Sequence, residues 1–233
     1  MKQLVYLLFT LVTIASCRFT TGSGHIISET RKVGHFDGIM VGGSFDVEVK
    51  IGPVTSVVVE ADDNIMKYIE TTTTGNTLKI RTEDLNNYSD VHMKVVVTTP
   101  SINNIKASAS AVVFVQDILT SNDKLSFRAS SSSSIIAEVN APDIETDVSS
   151  SATVTLKGRT KTFTAEASSS ADINAFDLLS ENTIAKVSSS ATIEVFASVS
   201  LNARASSSGS IAYKGAATVN KSTNSSGSVE KRD

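Results

Sequence analysis

The sequence predicts an all-β solenoid, a single-stranded β-helix wound in coils of about 19 residues. The first reason is a serine phrase that returns as "VSSSATVTL" at 148, "ASSSADINA" at 167, "VSSSATIEV" at 187 and "ASSSGSIAY" at 205. Aligned on the residue after the third serine, the copies place Ser133, Ala152, Ala171, Ala191, Gly209 and Gly227 at separations of 19, 19, 20, 18 and 18. A weaker copy, "ASASAVVFV", puts Ala111 at that position 22 residues before Ser133. The second reason lies two residues further on, where Val113, Ile135, Val154, Ile173, Ile193, Ile211 and Val229 are all aliphatic and β-branched. Val115, Ala137, Leu156, Ala175, Val195 and Tyr213 follow after another two, so each phrase alternates with the period of a strand. Third, no copy shows helix-length apolar periodicity, and a coil this short has no room for a strand, a crossover helix and a return.

The N-terminus begins with Lys2 and an apolar run from Leu4 to Ile14, too short to span a bilayer and shaped like a secretion signal. It ends in "IASC", which resembles the lipobox of bacterial lipoproteins, with the sole cysteine, Cys17, at the lipidated position. Residues 1–16 are thus expected to be a signal peptide and 17–32 a polar, lipidated tether. One domain should occupy 33–233, with irregular strands over 33–105 and repeat rungs over 106–233. Within the irregular part "SFDVEVKI" alternates strictly, "LKIR" and "HMKVVVTTP" read as strands, "VGGS" as a turn, and "ADDNIMKYIE" as one helical turn after an Asp or Asn cap. This segment is placed to cap the stack and the charged tail "VEKRD" to blunt its other end.

In "ASSSADI", strict alternation would turn Ala167, Ser169, Ala171 and Ile173 inward, with alternate serines filling a corner too narrow for larger residues. The outward set includes the column Ser134, Thr153, Asp172, Thr192 and Ser210; Asp172 interrupts it, which counts against an ice-binding face. One residue before each phrase stand Lys106, Arg128, Asp147, Glu166, Lys186 and Arg204. Stacked rung on rung, they would set Arg128 beside Asp147 and Glu166 beside Lys186. Such a column is either a charged binding stripe or a solvated face.

Together, "HFDGIMVGGSFDVEVKIG", "VVVEADDNIMKYIETTTTGNTLKIRTED", "VHMKVVVTTPSINNIKASASA" and the serine phrases resemble the adhesin family whose defining unit is the head GIN domain, common among Bacteroidetes lipoproteins. The resemblance covers roughly 33–230 and implies a right-handed β-helix at the cell envelope. The family's repeated phrase, Ser-Gly-Ser-Gly-Asp-Ile, has most of its glycines replaced here by Ser or Ala and keeps its Asp only at Asp172, which weakens the idea of an ion-binding Asp array.

Twenty-one Lys and Arg against 24 Asp and Glu give a net charge of −3 with no basic field, so nucleic acid is not an expected partner. His25, His35 and His92 have no partner ligands at metal-site spacing, no cofactor motif occurs, and the serines lack a Gly-x-Ser-x-Gly elbow. Asp143, Glu145 and Asp147 share one strand face and offer the best candidate for polysaccharide-active chemistry, as an acid and base pair or a Ca²⁺ site. Thr162, Thr164 and Glu166 occupy the next rung, so the cluster is not reinforced. The expectation is a non-catalytic envelope lipoprotein of the outer membrane, on its surface or periplasmic face, held through Cys17 and acting as an adhesin or in contact with glycan or a surface protein; the alternative is a polysaccharide-active β-helix enzyme working through Asp143, Glu145 and Asp147.

Overall fold

A computed structural model describes residues 19–83 and 87–233. Residues 1–16, expected to be a signal peptide, and Cys17 lie outside the described residues. The chain is an all-β solenoid of stacked parallel coils, with one helical turn at Asp63–Met66.

Each full coil has three walls. The first runs into the serine phrase (Leu125–Ala129, then the ends of Ser134–Val148, Thr153–Ala167 and Leu178–Val187, then Ser200–Ala205). The second runs out of it (Val112–Val115, the starts of Ser134–Val148 and Thr153–Ala167, then Asp172–Ala175, Thr192–Phe196 and Ser210–Lys214). A short third wall joins Leu119, Val139, Gly158 and Leu178. There a Cβ on Gly158, whose φ is +119°, would lie 2.0 Å from the Val139 carbonyl oxygen.

The aliphatic column stacks as expected: Val113, Ile135, Val154, Ile173, Ile193, Ile211 and Val229 are register partners in series, and all are buried. It also extends further than the serine phrases do, through Val47 to Val95. Burial of each such side chain contributes about 1.5–3 kcal/mol.

Val47 belongs to a coil that the irregular segment conceals. Gly38–Gly42 and Asp46–Ile51 pair in parallel with Asn104–Ser108 and Val112–Val115, so "VGGSFDV" is itself a phrase, with Phe45 in place of the buried alanine. The coil stacked outside it, Thr77–Thr82 and Met93–Thr99, comes later in the chain. Beyond that, antiparallel strands close the end: Ser56–Asp62 on Met93–Thr99, Ile26–Arg31 on Ser56–Asp62, and Ile69–Thr74 on Thr77–Thr82. The second wall therefore contains eleven strands, about 48 Å from end to end at 4.8 Å per step.

Four expectations need correction. Residues 19–31 are not a free tether: Phe19–Thr21 pairs with Asn87–Ser89, and Ile26–Arg31 is an edge strand, because backbone pairing there does not require an apolar pattern. Asp62 precedes the helical turn without capping it by a side-chain hydrogen bond, its carboxylate being taken by the Gly24 and His92 amides. The charged residues of "VEKRD" do not form a tail beyond the stack, since Ser228–Lys231 is itself the last strand. Lys221 and Lys231 stand in register with Ala203 and Tyr213 but are exposed at that open end, and charged residues so placed discourage a further strand from adding.

The fourth correction concerns the serines. In each of six coils the second and third serines of the phrase have positive φ: Ser131 and Ser132, Ser150 and Ser151, Ser169 and Ser170, Ser189 and Ser190, Ser207 and Ser208, Ser225 and Ser226, all between 45° and 63°. The residue after them donates its N–H back across the corner in most coils, as Ala152 does to Ser149 at 3.3 Å, closing a β-turn of the type that places both central residues at positive φ. Ser169 therefore points to solvent, not inward, and only the aligned residue (Ser133, Ala152, Ala171 or Ala191) fills the corner. Ser133 is the one inward serine of that column, and its hydroxyl is satisfied by the Ala107 and Ser130 carbonyls, both at 2.9 Å. The corner amides also bond along the stack, as Ser151 N–H does to Ser169 O at 3.0 Å.

A groove along the serine corner as candidate functional site

The charged column forms in the expected register, with Lys106, Arg128, Asp147, Glu166, Lys186 and Arg204 paired in series on the outer face of the first wall. Beside it runs the first serine of each phrase, Ser168, Ser188 and Ser206, with Asn224 in the last coil. Between these two rows lies an open groove of about 390 Å³, floored by Ala167, Val187 and Ala205. The serine turns project beside it as a ridge, because two left-handed residues swing the chain out before it re-enters the second wall.

The groove's charges are not equivalent. Lys186 Nζ lies 2.6 Å from Glu166 Oε1, a pair exposed enough to be worth at most about 1 kcal/mol. Asp147 and Arg204, one coil further out on each side, make no ion pair among the described residues. The groove thus offers an unneutralised carboxylate and an unneutralised guanidinium three coils apart, about 14 Å, with a hydroxyl row between. This arrangement favours an extended polar ligand with several small contacts over a compact, desolvated one.

The carboxylate face behaves differently from the expectation that raised it. Asp143, Glu145 and Asp147 do point outward together, but Glu145 is held by Lys124, and by Arg128 at 3.6 Å. Arg128 is thus drawn to Glu145, not to Asp147. Glu145 sits below the usual carboxylate range, chiefly because the Lys124 ammonium donates to it, and Lys124 is raised in turn. A glycosidic general acid needs the opposite shift. Thr162, Thr164 and Glu166 face it from the next coil, as expected. No group of three or more His, Cys, Asp or Glu able to hold a metal occurs among the described residues. His25 and His92 serve the N-terminal cap: the His25 imidazole lies 3.5 Å from Asp63, and the His92 backbone amide donates to Asp62. His35 is exposed.

Two features escaped the sequence reading. On the outer face of the second wall Val112, Phe114 and Ile136 are exposed by 39%, 44% and 39%, with Phe114 and Ile136 direct register partners. Period-2 alternation gave no warning, because apolar residues there occupy both faces. At the third corner of one coil, Ser180 and Thr183 are buried and share the Phe196 carbonyl, a polar knot in a mostly apolar interior. The outward column Ser134, Thr153, Asp172, Thr192 and Ser210 is present in register and continues to Ser228.

A family model described as "Putative auto-transporter adhesin, head GIN domain" matches residues 35–217. Among solved structures, a "putative adhesin" from Bacteroides fragilis superposes with a TM-score of 0.85 at 20% identity, covering 91% of this chain and 100% of that one. A "putative lipid binding protein" from Parabacteroides distasonis gives 0.78 at 21% identity, covering 93% and 100%. A "putative adhesin" from the same species gives 0.75 at 24% identity, covering 92% and 100%. No curated protein matches the sequence.

Proposed function

The chain belongs to the head GIN domain family of auto-transporter adhesins, and from that membership we propose that it is a non-catalytic envelope adhesin anchored through Cys17. Its ligand is a glycan or a surface protein, bound along the groove between the charged column and the first serines. The observation that carries this reading is the groove's composition: Asp147 and, three coils on, Arg204 make no ion pair among the described residues, with the hydroxyls of Ser168, Ser188 and Ser206 alongside. Repetition at one coil height suits a polymer or an extended segment, because each coil presents the same small contact and affinity accumulates along the axis. The lipobox-like "IASC" supports an outer-membrane, lipid-anchored location. The ionised state enforced on Glu145 by Lys124 favours binding over acid catalysis.

The test is binding to immobilised glycans and to intact host or bacterial surfaces by the wild type, by Asp147→Ala with Arg204→Ala, and by Lys157→Ala on the second wall. The groove variant should lose binding at least tenfold with unchanged melting, while Lys157→Ala retains it. Equal binding by all three would place the ligand elsewhere. Turnover of a polysaccharide, lost in Glu145→Gln with Asp147→Asn, would replace the adhesin reading with the enzyme reading.

A further inference from the structure

We propose that the N-terminal end of the solenoid is a foot that rests on the bilayer surface, so that the coils stand away from the membrane in a fixed orientation. The inference rests on the proposed lipidation of Cys17 and adds what the fold does with that anchor.

A free tether over 17–32 would let the body wander: about fifteen flexible residues span roughly 20 Å root-mean-square, in any direction. The structure removes that freedom. Asp62 is 2% exposed, and its two carboxylate oxygens accept the Gly24 and His92 amides, both at 2.7 Å. The neighbouring residues hold the same segment: Asp63 takes the Ser23 hydroxyl at 2.6 Å, Asn64 Oδ1 takes the Ser23 amide at 3.1 Å, and Asn64 Nδ2 donates to Thr21 O at 2.8 Å. The approach at Gly22 is close, for a Cβ there would lie 2.4 Å from Asp62 Oδ2. With Phe19–Thr21 also paired to Asn87–Ser89, the chain is fixed from residue 19 onward.

Only Arg18 separates Cys17 from Phe19 in the sequence, and two residues of extended chain reach at most about 7 Å. An acylated cysteine enters the bilayer at the headgroup level, and the end of the fold beside Phe19 must therefore sit at that level too. What this end presents suits the position. Lys67 lies over the half-buried Tyr68 ring at 4.8 Å, Ile26 is 45% exposed and Lys32 is exposed. Tyrosine favours the membrane interface and lysine the anionic headgroups, and a second contact of this kind stabilises an anchor that acyl chains alone hold incompletely. The last coil, with Ser225 and Ser226, then stands about 48 Å from the bilayer.

Depth-dependent fluorescence quenching tests this. The mature chain is joined through Cys17 to vesicles of phosphatidylethanolamine and phosphatidylglycerol, either by the cell's own lipidation or by coupling the thiol to a maleimide headgroup lipid. A dye is attached through an azido residue replacing Ser28 or Ser226, and the quencher is carried on lipid headgroups. Quenching at position 28 should exceed that at 226 at least fivefold on both anchors. Ser23→Ala with Asn64→Ala, which loosens the segment without touching a buried residue, should bring the two within twofold. Equal quenching at both positions in the unaltered chain, or a difference that survives the loosened variant, would overturn the proposal. Mass spectrometry of the natural N-terminal peptide reads the lipid itself, so a missing acyl group would refute the anchor while the coupled sample still reports the orientation.

Discussion

Two buried hydroxyls in adjacent coils should respond to removal with opposite signs. Thr146 faces inward in the column Ile39, Ile105, Phe127, Thr146, Ala165, Ala185, Ala203, is fully buried, and its Oγ1 has no hydrogen-bond partner among the described residues. Burying an unsatisfied hydroxyl costs about 1–3 kcal/mol, and valine replaces it with a methyl group of similar shape. Thr146→Val should therefore stabilise by about 1–2 kcal/mol, raising the melting temperature of a domain this size by roughly 2–8 °C. Ser133 is equally buried, but its hydroxyl donates to carbonyls of two coils and accepts the Ser130 amide at 3.1 Å. Ser133→Ala should cost about 1 kcal/mol, although alanine already stands at that position in the next three coils. Urea titrations of both variants, followed by circular dichroism, give the comparison. A neutral or destabilised Thr146→Val beside a neutral Ser133→Ala would refute the argument that hydroxyl satisfaction decides the sign.

The corner serines give a second contrast: Ser169, with φ of 56°, should tolerate Ser169→Gly with a gain of up to about 1 kcal/mol, whereas Ser169→Val should lose about 1–2 kcal/mol, as read by thermal melts. Replacing both end lysines, Lys221→Val with Lys231→Val, leaves an apolar open edge and should convert a single sedimenting species into concentration-dependent assemblies, measured by analytical ultracentrifugation. Asp63 is held below the usual aspartate range first by the Ser23 hydroxyl, then by the Asn64 amide and His25. Since its folded value lies below its unfolded one, its contribution is intact above about pH 4 and is lost as pH falls through the folded value. Amide protection of Ser23 and Gly24 should accordingly drop at low pH before that of the coils, and Asp63→Asn should remove the pH dependence.

The repeat was legible because its signal is a column, and a column is what parallel stacking conserves: the spacing of the serine phrases alone places Ile135, Val154 and Ile173 in contact. The direction of the middle serines was not legible. A corner of two left-handed residues and a stretch of plain alternation both return the chain inward at Ala171, four residues after Ala167, and differ only in where Ser169 points. Backbone sign is not written in a serine as it is in a glycine. The coil over 38–51 was hidden for a different reason. There Gly43 and Phe45 replace the serine and alanine of the phrase, and the coil next to it in space lies some forty residues later in the chain. The candidate groove was half legible: its charged column was read from the sequence, but its depth comes from the projecting ridge, which depends on those same φ angles.

The two ends of the solenoid are built to different standards, and the difference bears on function. In a quasi-one-dimensional fold each coil is stabilised by its neighbours, so an end coil lacks half of that support unless something replaces it. At the N-terminal end the replacement is extensive: antiparallel strands, an out-of-order coil, and the Asp62 to Asn64 hydrogen bonds. At the C-terminal end Thr218–Thr223 and Ser228–Lys231 are each paired on one side only, and most of their residues are exposed. Opening should therefore begin at the last coil and proceed toward Asp147, through the groove itself. The proposed binding groove, set in the more labile half, could adjust coil by coil to a long ligand, and a ligand spanning several coils would tie that half together. Bound ligand should then slow hydrogen exchange most at Leu201 to Val229 and least in Val95 to Val113. Uniform slowing across the whole solenoid would separate binding from this gradient and argue that the groove is as rigid as the cap.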